Sequence, residues 1–170
     1  PGGSPGAEAI RSLLVTGAPD RWDGITEALL FFASRRDHVE RTVKPALTDG
    51  NIVISDRFAD TTMAYQGYGH GLSLKVIENL YALALGAFKP DLTLIFDLPV
   101  EDGLKRAAAR GGKEHRFEDM NISFHQRLRD GFLDIAKREP ERCFVIDASA
   151  TQDEVSDEVE SIVMNMISNG

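Results

Sequence analysis

Cysteine is nearly absent from this sequence: its 170 residues include one, Cys143. No disulfide can form within the chain, which suits a reducing compartment. Cys143 falls in the apolar run Cys143-Phe144-Val145-Ile146 and reads as a buried strand residue. Basic residues are in the minority, 19 against 27 acidic, for a net charge of -8. That balance argues against a surface built to neutralise a nucleic-acid backbone, while leaving room for a small anion held by a few local arginines. No apolar run reaches the ~18 residues of a membrane span, and nothing resembles a signal peptide. The histidines His38, His70, His115 and His125 lack metal-ligand spacing and read as surface or hydrogen-bonding residues. Without an internal repeat or linker, residues 1–170 are expected to form one domain.

What is present alternates helix and strand signals. Ser4 and Pro5 suit a helix cap and first turn, with a helix to about Val15 and a stop near Gly17. Thr16 to Asp23 is then a loop. From Gly24 to about Lys44 apolar residues recur at helical spacing (Ile25, Leu29, Phe32, Val39, Val43), and Pro45 bends or ends that helix. Asp49-Gly50 reads as a turn and Asn51 to Ser55 as a short buried strand. A short helix from Phe58 to Gln66 is expected to close on a glycine-rich loop, Gly67 to Gly71. Further helices are expected over Leu72–Ala87, Pro99–Arg110, the stretch ending near Lys137, and Gln152 to about Ile167. Strands are expected at Leu92–Phe96 and Arg142–Ile146. Short continuous apolar strands separated by long helices indicate an α/β fold, a parallel sheet covered on both faces. In such sheets ligands bind beyond the carboxyl ends of the strands. Asp56-Arg57 and Asp97 follow two of the predicted strands, so they should stand on that rim.

The rim chemistry favours a phosphate. Arginine's planar fork matches phosphate oxygens, and Arg57, with Arg11 and Arg35 on the preceding helices, could converge on one such group. Phe31 and Phe32 point about 100° apart on a helix. Phe32 lies on the apolar stripe, while Phe31 lies beside it, one turn before Arg35. Either both rings are core, or Phe31 is a platform for a flat ring whose edge Arg35 reaches. Thr62, Tyr65 and Gln66 share one helix face at i, i+3 and i+4, as hydrogen-bonded surface or as one wall of the same pocket. Together these parts describe a site for a nucleoside monophosphate. Asp97 is either a rim carboxylate near a hydrated cation or a cap for the helix at Pro99, and the cap is the reading adopted.

Five segments in order carry a family resemblance: "PGGSPGAEAIR", "LLFFASRRDHVE", "DRFADTTMAYQGYGHG", "KPDLTLIFDLPVEDGLKRAAARG" and "RFEDMNISFHQRLRDGF". Over essentially its whole length the chain resembles bacterial thymidylate kinases, cytoplasmic homodimers of P-loop kinase fold that serve dTTP biosynthesis. The resemblance implies transfer of the γ-phosphoryl group of ATP to dTMP with Mg²⁺, no nucleic-acid polymer and no membrane. It implies that Phe31 stacks on thymine, that Arg35 bonds the base edge, and that Thr62 and Gln66 contact the base. Arg11 and Arg57 would hold the 5′-phosphate, and Tyr65 would pack on the sugar. A lid around residues 111–118 would bring Arg116, with Arg110, to the phosphates being exchanged.

The chain departs from that family in one respect. It contains no G-x-x-x-x-G-K-[ST] phosphate loop, and it opens on Pro1-Gly2-Gly3, residues suited to a turn. An N-terminal part of about 35–40 residues, the size of one βαβ unit, is expected to be missing, with two strands of a five-stranded sheet. The chain by itself is then expected to be poorly stable, with an exposed sheet edge, and to transfer no phosphate from ATP. Two alternatives stay open from the residues: a kinase for another deoxynucleotide, and a degenerate nucleotide-binding protein without the loop.

Overall fold

The computed structural model describes residues 2–18, 20–110, 117 and 120–169, the side chains of Arg110 and Asn169 excepted. Helix α1, Pro5–Val15, begins where Ser4 accepts the Ala7 amide at 3.3 Å, with proline in the first turn. Helix α2, Gly24–His38, is capped by Asp23, whose carboxylate takes the amides of Ile25 and Thr26. Pro45 does not end this helix. A π-helical turn, Val39–Val43, carries it into α3, Lys44–Thr48. A proline within a helix removes a donor and crowds the carbonyl four residues back, and the widened turn just before Pro45 accommodates both.

The expected helix after Arg57 is longer than its sequence suggests. Helix α4, Ala59–Thr62, passes directly into a π-helical stretch, Met63–Gly69. His70 N–H bonds the Tyr65 carbonyl, five residues back, at 2.9 Å. Gly67 and Gly69, expected in a loop, are therefore inside a helix. Their lack of a side chain is used for close approach: a Cβ at Gly69 would stand 2.6 Å from the Phe124 ring. Helices α5, Leu74–Leu85, α6, Val100–Arg110, α7, Ile122–Arg138, and α8, Gln152–Asn169, complete the helical layers.

Strands β1, Thr93–Asp97, and β2, Cys143–Asp147, pair in parallel from Thr93 opposite Cys143 to Asp97 opposite Asp147. The expected third strand is not formed. Residues 51–55 make no ladder, and Ile52 and Ile54 are 75% and 94% exposed. An extended apolar run becomes a strand only by exchanging backbone hydrogen bonds with a neighbour, and no described strand lies beside this one. The stripe expected on α2 also divides. Phe32, Val39 and Val43 are buried, but Ile25 and Leu29 are about half exposed, and Glu27, Ser34 and Arg35 take the buried face instead.

Two apolar clusters result. One joins α7 to the sheet through Ile95, Phe124, Leu128, Ile135 and Cys143, and the other joins α2 to α4 and α5 through Phe32, Val39, Ala59, Ile77 and Leu85. Met63 packs against both, so the α4 and π-helical segment is the shared wall between them. Cys143 is buried in its strand as expected. At the start of β2, Arg142 donates to both oxygens of Asp60 at 2.7 and 2.9 Å, pinning the first turn of α4 to the sheet.

The seam between α7 and the π-helical stretch is tight enough to test by one methyl group. A Cβ at Gly131 would lie 2.6 Å from the Tyr68 ring. Gly131→Ala should destabilise the fold by about 1–3 kcal/mol in urea unfolding. Gly103→Ala on α6, whose added Cβ would meet only Leu98 at 3.8 Å, should stabilise it by about 0.4–1 kcal/mol.

Candidate functional site

One face of α2 presents Glu27, Phe31, Ser34 and Arg35, spaced so that each stands within one turn of the next. It faces α4 and the π-helical stretch, which offer Thr62 and Gln66. All of these polar groups are buried: Glu27, Ser34 and Gln66 are fully enclosed, Thr62 is 1% exposed and Arg35 3%. A buried polar group is tolerated when it is hydrogen-bonded, and here the partners come from the opposite helix. Arg35 Nη1 donates to Thr62 Oγ1 at 3.0 Å, and Nη2 to the Phe58 carbonyl at 3.0 Å. Gln66 Nε2 donates to Glu27 Oε2 at 2.9 Å. Ser34 Oγ donates to the Ala7 carbonyl, extending the seam to α1.

Phe31 sits between the two bridges, one turn from each. It is half-buried, with the ring of Phe117 at 6.3 Å, and Phe117 in turn meets Tyr65 edge-on at 5.3 Å. This end of the seam is aromatic. Beyond Arg35 a cavity of about 240 Å³ is lined by Gly2, Gly3, Arg35, His38 and the run Ile54 to Phe58, which includes the acidic Asp56 beside Arg57. Burial pulls the Arg35 guanidinium down to about 10, with Asp60 and Tyr81 acting in the opposite direction. It stays cationic at neutral pH.

Arg57 is the one described non-glycine residue in the left-handed region, with φ 69°. That conformation costs an ordinary residue about 1–2 kcal/mol and is found where surrounding structure holds it, often at binding sites. The Arg57 carbonyl accepts from Ser55 Oγ at 3.0 Å, and its guanidinium carbon lies 5.8 Å from the centre of the Tyr65 ring. Arg35 and Arg57 thus both line the cavity, and the Arg57 side chain reaches from it to the Tyr65 ring.

Comparison with known proteins gives this arrangement a family. The description of thymidylate kinases matches residues 1–159. Curated thymidylate kinases of Caulobacter vibrioides and Ruegeria pomeroyi are 54% and 51% identical. The alignments cover 98% and 96% of this chain and 80% and 77% of theirs. A crystal structure of thymidylate kinase from Ehrlichia chaffeensis superposes with a TM-score of 0.71 at 34% identity, covering 95% of this chain and 76% of that one. The chain belongs to the thymidylate kinase family.

Within this family member the sequence-predicted residues divide by position. Phe31, Arg35, Thr62, Tyr65 and Gln66 are brought to the one seam, and Arg57 to the cavity at its end. Arg11 is half-buried on α1 and is not part of the cavity lining. Arg110 ends α6, and Arg116 and most of the segment 111–118 lie outside the described residues. Sequence reasoning missed Glu27 and Phe117. Glu27 was findable, because it shares the helical face of Phe31 and Arg35. No spacing rule pointed to Phe117, whose ring partners Phe31 and Tyr65 are far from it in sequence.

Asp97 does not cap the helix at Pro99. Arg129 on α7 grips it bidentately, Nε to Oδ1 at 2.7 Å and Nη2 to Oδ2 at 2.8 Å. The carboxylate also takes the backbone N–H of Leu98, the next residue, but its main partner is the guanidinium on the helix packed over the strand. Both Asp97 oxygens are engaged by Arg129, and among the described residues no three of His, Cys, Asp and Glu converge.

The Arg129 fork holds the Asp97 carboxyl below its ordinary value. A depressed carboxylate stabilises the fold above its unfolded pKa, and that contribution is lost as pH falls through the folded value. Asp97→Asn should therefore cost about 1 kcal/mol at neutral pH, with the gap from wild type narrowing below about pH 4. Urea unfolding of both proteins across that range measures it.

Proposed function

We propose that the two ends of this seam hold the two ends of dTMP. The chain is a kinase of the family that transfers the γ-phosphoryl group of ATP to dTMP, giving dTDP. The observation that carries the residue assignment is Arg57. It is held left-handed, lines a cavity with the buried Arg35, and stands beside the aromatic end. Arg57 and Arg11 take the 5′-phosphate, Arg57 as a fork suited to two phosphate oxygens. Phe31 stacks on thymine. Arg35, which spends two N–H groups on Thr62 and Phe58, has others left for the base edge. Thr62 and Gln66 complete the base contacts, and Tyr65 packs on the sugar, where it disfavours a 2′-hydroxyl.

Phosphoryl transfer needs its groups positioned and the charge on the moving phosphate stabilised. On this reading Arg57, Arg116 and Arg110 supply that charge, the latter two from a lid over 111–118 within one domain, residues 1–170. Magnesium arrives on the ATP phosphates. A homodimer through outward helix faces fits the exposure of Val76 and Leu83, seven residues apart on α5. No helix among the described residues is long and apolar enough to cross a membrane. A cytoplasmic setting fits the single free cysteine.

The direct test of this reading is dTMP-dependent ADP release by the natural protein with ATP and Mg²⁺, preferring dTMP to dCMP, dGMP or AMP. In the same protein Arg57→Lys keeps the charge and loses the fork. It should weaken dTMP binding at least tenfold and leave thymidine binding unchanged, and equal loss for both would remove Arg57 from the phosphate.

The base platform is separable from the core. Phe31→Ala should weaken dTMP binding by about 1–3 kcal/mol with little change in melting. Phe32→Ala, buried among Val39, Ile77 and Leu85, should instead cost about 3–5 kcal/mol of stability. Calorimetric titration and thermal melts of both variants decide it, and matching losses in the two would show the faces are misassigned.

A further inference from the structure

The most enclosed charged group near the site has no part in the scheme above. Glu27 is fully buried, and a lone carboxylate there would be costly to desolvate. Its oxygen Oε2 receives the Gln66 amide at 2.9 Å, and His70 Nε2 stands 3.5 Å from the same atom. A carboxylate offers only acceptors, whereas a carboxamide has one donating and one accepting end. Facing Glu27, Gln66 must therefore turn its nitrogen inward, because the opposite orientation would set oxygen against oxygen. Its other end is then fixed as an acceptor. Gln66 Oε1 is buried and has no hydrogen-bond partner in the protein, which costs about 1–3 kcal/mol unless a donor arrives.

We propose that Glu27 is a positioning residue that sets base specificity: it locks the Gln66 amide so that the pocket presents an acceptor to the ring. This rests on the assignment of Gln66 to the base end. A thymine ring brings an N–H at its imide nitrogen, which satisfies Oε1. The corresponding nitrogen of cytosine carries a lone pair, so it leaves Oε1 unpaired and repelled. Rejecting a ring by leaving a buried polar group without its partner is a strong form of discrimination. Gln66 without Glu27 could turn over and serve either ring. Phe31, four residues after Glu27 on the same helix face, keeps the stacked ring in register with this acceptor.

The test is the ratio of dTMP to dCMP affinity, measured by calorimetric titration of the natural protein. Glu27→Gln keeps the shape and removes the orienting charge, so the ratio should fall at least tenfold. Glu27→Asp retains an acceptor and should keep most of it. In a Gln66→Ala background, Glu27→Gln should change the ratio no further, a coupling that a purely structural role would not produce. If Glu27→Gln unfolds in thermal melts, Glu27→Asp decides: it should keep the ratio within a few fold of wild type, and a tenfold fall with unchanged melting overturns the proposal. An unchanged ratio in Glu27→Gln, or an equal loss of both affinities, overturns the proposal. A wild-type protein that does not favour dTMP overturns the base-end assignment itself, which is a separate failure.

Discussion

Everything at the site depends on two buried polar bridges between α2 and the helix that follows Arg57. Arg35 to Thr62 and Glu27 to Gln66 remove four polar side chains from water. Each would be expensive alone, and each is relieved only when the helices meet in one register. Apolar packing tolerates small slips between helices, but hydrogen-bonding geometry does not. The bridges therefore specify more than they stabilise, and what they specify is the place of Phe31 between them.

The unusual backbone follows from that constraint. Met63–Gly69 is π-helical, and it has to serve two neighbours at once: α2 through Gln66, and α7 through Tyr68 and Gly69. A regular α-helix would turn one of these faces away. π-helical turns recur at functional sites for this kind of reason. Arg57, just ahead of α4, is held at a positive φ while the first turn of α4 is pinned to the sheet by Arg142 and Asp60. That anchor fixes where the Arg57 backbone stands, and its side chain extends from there toward the Tyr65 ring.

Much of the secondary structure was legible in the chain. Ser4-Pro5 and Pro99 mark helix starts because capping is local, and "LTLIF" and "CFVI" read as strands because each is a short apolar run between helices. The errors share a cause. Ile52-Val53-Ile54 has the composition of a buried strand, but a strand requires a partner, and composition does not report one. Ile25 and Leu29 fall on the predicted apolar stripe, yet the buried face of α2 is chosen by what lies opposite it. Asp97 reads as a cap when only its neighbours in sequence are considered, whereas Arg129 is 32 residues away.

Residue types and spacing by themselves determined the arginines able to take a phosphate and an aromatic residue offset from the core stripe, and resemblance added the ordered segments of a thymidylate kinase. The first two are properties of single residues and of one helix turn. Tertiary structure alone decided that Glu27 faces Gln66, that Phe117 joins Phe31 and Tyr65, and that Arg57 is held left-handed. Each of these depends on groups far apart in the chain, or on a backbone conformation that only the assembled neighbours make affordable. Burial converts such meetings into strong preferences, because an unpaired polar group in the interior has no water to fall back on.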